Sequence, residues 1–576
     1  MSTTSNCEAQ SGPAHRIWRF WLIFLALCVS LFLTALDLAS VGTALPSIVY
    51  DLNGTDSFVW VSSAYTLACT AVLPTSGQLA DLFGRRAVLL VAILLFCAGS
   101  AVAGSAGSMA MLIAGRTVQG VGSGAIQVLV AIVIADLIPL KDRGFFQALT
   151  GAWCNCTANV LEMAFLYVSE YATTGVNIKR DRRGVIDSRC ADLNLPLCGI
   201  AFGIVFLFLR LRKPPVQSYV ASVKSMDWIG NVIIIGSATS CIIALTWAGV
   251  TFPWSSAQVL APLIVGIAGL ALALLYDAFV APFPVIPVAI IKNRTSIAGY
   301  VGSFFHYLVL NSVVFYLPAY FQSSKLAPPL LSGLYLLPTA LCISPSATLQ
   351  GIIVSRTGKY RLIVSPRIKH SIAGRHRSWA AMLVGMGLMT LLDADSPIAV
   401  TIPIQIIAGV GFGLVYATIF TVMAPLEPVH NASALSFLLF VRTLSSAWAI
   451  PISATILQNA LRTRLPAAFL ATIAPGHDLA YNAIPAISAL PEPLQREVRD
   501  AFAASFRLVW RVMLGFCGAG LLSVALQEHV PLHTKMDERW GLEEESHAEA
   551  GTSQSGGEMC EKDEPRERPC PMDAGA

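Results

Sequence analysis

About fourteen apolar runs, most of them near 20 residues long, follow one another through the first 530 positions, and they fix what this chain can become. They lie near 20–45, 58–79, 87–106, 109–134, 145–168, 193–211, 228–249, 258–280, 297–320, 329–355, 379–393, 397–424, 433–458 and 508–527. A bilayer core of about 30 Å is crossed by a helix of about 20 apolar residues. Lipid offers no hydrogen bonds, so each run must satisfy its own backbone, and a helix does this. Only 12% of the 576 residues are charged, against about 25% in soluble domains. The fold class expected is an all-α polytopic membrane protein with about 14 transmembrane helices. The first run is too long for a signal-peptide core and is expected to remain as a span.

An even number of spans puts both termini on one side, and the basic residues choose that side. Arg16 and Arg19 precede the first run. Arg85 and Arg86, Lys141 and Arg143, Arg210 to Lys224, Lys292 and Arg294, and Arg356 to Arg361 then fall in every second loop. Loop 46–57 has two aspartates and no Lys or Arg. This positive-inside pattern makes both ends cytoplasmic. Asn53-Gly54-Thr55 is then an external glycosylation acceptor, modified or not. The region from about 534 to 576 is acidic, polar and rich in Gly, Ser and Pro, and reads as a disordered tail. Segment 459–507 reads as external, with Leu494–Phe506 as an amphipathic helix on the surface.

The charged turn Gly77-Gln78-Leu79-Ala80-Asp81-Leu82-Phe83-Gly84-Arg85-Arg86 joins two of the runs. Its glycines permit a tight turn and its arginines hold it at the cytoplasmic face. A weaker copy runs from Gly351 to Arg361, again with glycines seven apart. A turn used twice implies a duplicated chain, as in many transporters.

Ionisable groups inside spans are costly, by several kcal/mol, and point to function. Asp37 lies in the first run, within Leu36-Asp37-Leu38-Ala39-Ser40-Val41-Gly42-Thr43-Ala44-Leu45-Pro46. It reads either as a proton or substrate site or as a structural partner of a nearby base or dipole. Arg116 lies in the fourth, in Gly115-Arg116-Thr117-Val118-Gln119-Gly120-Val121-Gly122-Ser123-Gly124. Gly120, Gly122 and Gly124 allow close helix packing. An echo, Gly409-Val410-Gly411-Phe412-Gly413, carries Gln405 where the first copy has Arg116. That asymmetry favours a coupling role for the arginine over a packing role. Asp277, Arg442, His306, Asn311 and Tyr416 are weaker candidates, read first as helix-contact residues, and Trp60, Tyr65 and Trp448 are belt anchors or cavity walls.

Six cysteines, at 28, 69, 97, 241, 342 and 517, sit in apolar runs as small hydrophobes. Cys154-Asn155-Cys156 lacks zinc spacing, so no metal or cofactor is expected. There is no nucleophile–base pair in a recognisable setting and no Gly-Lys-Ser/Thr phosphate loop. An enzyme or ATP-driven pump is therefore not expected.

On the 77–86 turn, the 112–125 arginine run and the Leu36–Pro46 stretch, the chain resembles the major facilitator superfamily. More narrowly, it resembles the fourteen-span drug:proton antiporter family, which includes fungal toxin-efflux members. The similarity covers about 20–530. It implies two six-helix bundles, 20–211 and 297–527, rocking around a central cavity, with two linker spans at 228–280 and a cytoplasmic segment at 1–19. The resemblance makes Gly77, Asp81, Gly84, Arg85 and Arg86 a latch on the cytoplasmic gate, and links Asp37 and Arg116 to proton coupling. It implies efflux of small amphipathic compounds in exchange for protons by a monomer in the plasma membrane or the vacuolar membrane. Uptake or vacuolar transport of amino acids, siderophores or sugars on the same scaffold stays open.

Two stretches depart from the family. Its Gly-Pro-rich fifth-span motif is absent from 149–162, and the basic run Lys179-Arg180-Asp181-Arg182-Arg183 falls in a loop that topology places outside. The repeat spacing also grows by 15, from Gly84–Gly120 to Gly358–Gly409. Segments 153–192 and 362–378 read as non-family sequence, such as translated intron, or as a diverged transporter with a lengthened loop. The first alternative makes a defective, non-transporting protein a further possibility.

Overall fold

A computed structural model describes residues 18–51, 58–151, 185–209, 226–248, 252–357, 377–471 and 486–528, apart from Lys141, Ala148 and Ala417, and includes Lys224, Ile484 and Val530. Asn53, most of the expected fifth span, the segments 153–184 and 362–376, and the tail lie outside the described residues.

The first half is built from α1 (Trp18–Asp51), α2 (Phe58–Phe83), α3 (Arg85–Gly104), α4 (Met109–Leu137) and α5 (Val185–Phe208). Next come α6 (Trp228–Trp247) and α7 (Ala257–Phe279). The second half holds α8 (Arg294–Lys325), α9 (Leu337–Thr357), α10 (Arg377–Met389), α11 (Ile398–Val415), α12 (Asn431–Arg464) and α13 (Leu494–Ser523). Local chemistry sets several starts. Ser108 accepts from Met111 N, Asp227 from Gly230 N and Asn293 from Thr295 N, each satisfying an amide that the first turn leaves free.

Among the described residues, ten helical stretches are long and apolar enough to cross a membrane. Two shorter apolar helices, Asn194–Phe208 and Ser378–Met389, accompany them. The 26-residue α2 is long enough but carries Thr66, Thr70, Thr75 and Ser76 among its apolar residues. The architecture is that of a polytopic helical membrane protein, and fourteen spans are consistent with it.

The duplication expected from the two turns is written into the packing. Helix α4 packs on α2 and α3, and α11 packs on α9 and α10. Helix α5 packs on α1 and α3, and α13 on α8 and α10. The register repeats residue by residue. Gly120 meets Tyr65 and Ala68; Gly409 meets Thr339 and Cys342, each 274 positions further along. Gly124 meets Cys69 and Gly413 meets Ile343, again 274 apart. Gly122 meets the Phe96 backbone and Gly411 the Met382 backbone, 286 apart. Every second residue of a helix is turned by about 200°. Gly122 and Gly411 therefore face the opposite neighbour from the glycines on either side.

The halves meet at the face that carries the 77–86 turn. Gly77 packs on Ser436 and Ala432 of α12, while its repeat mate Gly351 packs on the backbone of Gly144 and Phe145. Ser355 donates to Asp142 across the same seam. The surface helix expected at Leu494–Phe506 is instead the first part of α13, which runs unbroken to Ser523. Val498, Phe502 and Phe506 are fully buried there. Their four-residue spacing puts them on one stripe against the core, while Arg496 and Glu497 stay on the other side. The expected span at 397–424 is described as Ile398–Val415 and Thr418–Met423, on either side of Ala417, and together they form one apolar stretch long enough to cross a membrane.

Candidate functional site

Asp37 and Arg116 come together, although 79 positions separate them. Asp37 faces inward from α1 and Arg116 from α4, and their side chains form an ion pair. Asp37 is 4% exposed and Arg116 2%. The pair sits inside a polar cluster. Arg116 Nη1 also donates to Gln119 Oε1 at 2.6 Å. Gln119 Nε2 donates to Asp37 Oδ1 at 2.6 Å and to Ser100 at 2.7 Å. Asn194 Nδ2 approaches Asp37 Oδ1 at 3.4 Å. The guanidinium lies over the Tyr65 ring, 4.3 Å from its centroid, a cation–π contact. The Tyr65 hydroxyl donates to Ser123 at 2.6 Å. Tyr65 is thus neither belt anchor nor cavity wall.

Two donors, Arg116 Nε and Nη2, are buried without a hydrogen-bond partner among the described residues. The arginine therefore leans on one carboxylate, one amide and one ring. Neutralising Asp37 removes its only full counter-charge among the described residues. Breaking one side of a buried ion pair costs about 3–5 kcal/mol.

The 77–86 turn forms a second cluster. Gly84 takes φ +86°, a backbone that side chains with a Cβ rarely adopt, and this lets α2 end and α3 start at once. Arg85 is buried rather than solvated. It donates to Asp81 at 2.7 Å and through Nε to Asp136 at 3.0 Å. Arg86 reaches the Phe206 carbonyl and lies 5.2 Å from that ring, joining the turn to α5. A Cβ on Gly77 would collide with Ser436, so α2 meets α12 at a glycine.

Gln405 holds the position in α11 that Arg116 holds in α4. It is fully buried and accepts from Thr339 at 3.0 Å. Thr339 is the repeat mate of Tyr65, so the same pair of positions makes a neutral contact in one half and a charged one in the other. Gly409 and Gly413 lie against α9, and Gly411 against α10, at backbone distance.

Arg442 on α12 is a further buried cation. Its guanidinium lies 4.9 Å from the Tyr307 ring centroid and 5.1 Å from that of Tyr416. His306 is fully buried, with Nε2 on the Phe412 carbonyl at 3.0 Å. Asn311 donates to Ser446 at 2.9 Å.

Sequence reasoning missed Asp136, Gln119, Ser100 and Asn194. Asp136 carried a signal, a lone acid in the last turn of an apolar run opposite a basic loop. The neutral three carried none beyond being polar in a span.

Comparisons agree with this architecture. Residues 27–174 match the Major Facilitator Superfamily. The chain is 33% identical to the MFS-type transporter pydD of an Acremonium species, covering 92% of this chain and 90% of that one. It is 32% identical to the efflux pump FUS6 of Gibberella fujikuroi, covering 93% and 94%. Among solved structures, a bacterial homolog of the lysosomal transporter Spinster, inward-facing and unoccupied, superposes with a TM-score of 0.54 at 13% identity, over 89% of this chain and 98% of that one. A doubly Trp-substituted XylE gives 0.53 at 13%, over 90% and 97%. With the repeat, the 77–86 turn and the buried arginine in place, this chain belongs to the major facilitator superfamily of membrane transporters.

Proposed function

We propose that this protein exports small amphipathic organic compounds in exchange for protons, by alternating access. The observation that carries the reading is the buried Asp37–Arg116 pair with its two unpartnered guanidinium donors. Relatives described as efflux pumps, FUS6 and LUC4, support the direction of transport. In this reading 20–211 and 297–527 are the two moving bundles, and 228–280 the linker spans.

The mechanism follows from electrostatics. With Asp37 ionised, Arg116 is held between α1 and α4. A proton on Asp37 leaves Arg116 short of a counter-charge and disfavours that arrangement. A penalty of about 3–5 kcal/mol shifts a two-state equilibrium by about 10²–10⁴-fold. Substrate biases the same equilibrium only through its different affinity for the two states. The 77–86 turn latches the cytoplasmic side: Gly77 admits α12, Gly84 sets the turn, and Arg85 ties Asp81 to Asp136. Arg86 anchors the turn to α5. Both termini are cytoplasmic and the plasma membrane is the expected location.

The test is dye export from intact cells and from proteoliposomes with an imposed pH gradient. Asp81→Asn and Arg116→Ala each abolish export while the protein still reaches the membrane. Unchanged flux in either variant removes the assigned role. Parallel counter-transport with amino acids and sugars separates export of amphipathic compounds from uptake.

A further inference from the structure

Each buried arginine of the first half has its charge answered. Arg116 has Asp37, and Arg85 has Asp81 and Asp136. Arg143 donates to the carbonyls of Ala135 and Ile138, at 2.6 and 3.2 Å. Those carbonyls close α4, where the helix dipole is negative. Arg442 has no carboxylate partner among the described residues, and the one helix-closing carbonyl it reaches is distant. The arginine is 5% exposed and makes no ion pair with any of those residues. Its Nη2 makes only two long contacts, 3.3 Å to the Thr418 hydroxyl and 3.5 Å to the Tyr416 carbonyl. Its Nε is buried, and no described residue accepts from it.

The setting is that of a ligand site. Arg442 lies eleven residues into α12, about 16 Å from its start at 1.5 Å per residue, which is well inside an apolar core of about 30 Å. Tyr416, at the C-terminal end of α11, and Thr418 supply those two contacts. Tyr416 also borders a pocket with room for about one water on the seam between the halves, beside Gly144 and Gln147 of the first half and Gly351 and Phe420 of the second.

We propose that Arg442 binds the anionic head of the transported compound, a carboxylate or acidic enolate on an apolar body. This rests on the efflux reading and narrows its substrate class. A guanidinium takes a carboxylate side-on through two parallel N–H groups. Arg442 Nε is free for one of them, and Nη2 holds only long contacts that a carboxylate replaces with shorter ones. The Tyr307 and Tyr416 rings hold the cation when the site is empty and flank the apolar body when it is filled. Asn311, one turn from Tyr307 on α8, adds a polar edge.

The experiment uses the full chain in phosphatidylcholine nanodiscs, free of anionic lipid, with biphenyl-4-carboxylate and its methyl ester as probes. The native protein binds the acid at least about tenfold more tightly than the ester, a difference of about 1.4 kcal/mol. Arg442→Gln weakens the acid to the level of the ester and leaves the ester within about twofold. Arg442→Lys keeps the charge but loses the fork, and retains part of the preference. Equal affinity of the native protein for both forms, measurable or not, overturns the proposal. So does an equal loss of both in Arg442→Gln, which marks a structural role, or no loss of either. Ester binding and a monodisperse elution profile show that the variant is folded. Export of the two probes is scored separately. Acid binding without export of either probe contradicts the efflux reading and leaves the anion site standing.

Discussion

The three-helix layer α2–α3–α4 and its mate α9–α10–α11 share one backbone design and differ in chemistry. In both, a central helix carries three glycines at alternate positions, which bring it against two neighbours at backbone distance. In the first layer the space beside that contact holds Tyr65, Ser100, Arg116 and Gln119, closed by Asp37. At the matching positions the second holds Thr339, Met386, Gln405 and Ala408. Met386 is fully buried and Gln405 bonds Thr339. The glycines are thus the scaffold and the arginine is the departure from it. A charge kept in one copy and dropped from the other is not needed for packing.

The sharpest way to break this comparison is to treat the two copies alike. Arg116→Ala leaves Asp37 buried without its base, and is expected to cost about 3–5 kcal/mol and abolish export. Thermal unfolding in detergent and a flux assay measure the two effects. Asp37→Leu added to Arg116→Met removes both charges, and is expected to recover most of the stability and none of the proton dependence. The double-mutant cycle separates structure from coupling.

The scaffold claim predicts equality instead. A Cβ on Gly122 would lie 2.5 Å from Phe96 N, and one on Gly411 2.6 Å from Met382 N. Alanine at either is expected to cost up to about 3 kcal/mol, by similar amounts, read as paired shifts in melting temperature. A large difference between them would mean that the halves are not packed by the same device. Gly84→Ala tests the turn alone. Its positive φ carries a strain of about 1 kcal/mol, with no steric neighbour within 4 Å. Smallest of all, Gln405→Ala removes one neutral hydrogen bond and is expected to cost about 1 kcal/mol or less, with transport retained. Loss of transport there would make both copies functional.

Much of this was legible in the sequence because a charge in an apolar run has few explanations. Asp37 and Arg116 stood out for that reason. Their pairing did not, since nothing local links α1 to α4. Gln119, Ser100 and Asn194 were hidden because a neutral polar residue in a span is common. The turn was readable from its glycines, yet the burial of Arg85 was not, because a base in a loop reads as solvated until Asp136 is placed behind it. Residues 494–506 misled through Gln495, Arg496, Glu497, Arg499 and Asp500. These outnumber the apolar stripe, but Val498, Phe502 and Phe506 alone decide where the helix packs. Arg442 was visible as an embedded charge. Its two rings come from α8 and from the C-terminal end of α11, which only tertiary structure brings together.

In the proposed cycle Asp37 carries the proton and Arg116 reads its charge. The most direct test is exchange in proteoliposomes with and without a pH gradient, comparing the native protein with Asp37→Asn. The account expects the gradient to drive substrate accumulation only in the native protein, while Asp37→Asn still equilibrates substrate down its own gradient. Accumulation by Asp37→Asn that follows the pH gradient as the native protein does would contradict it.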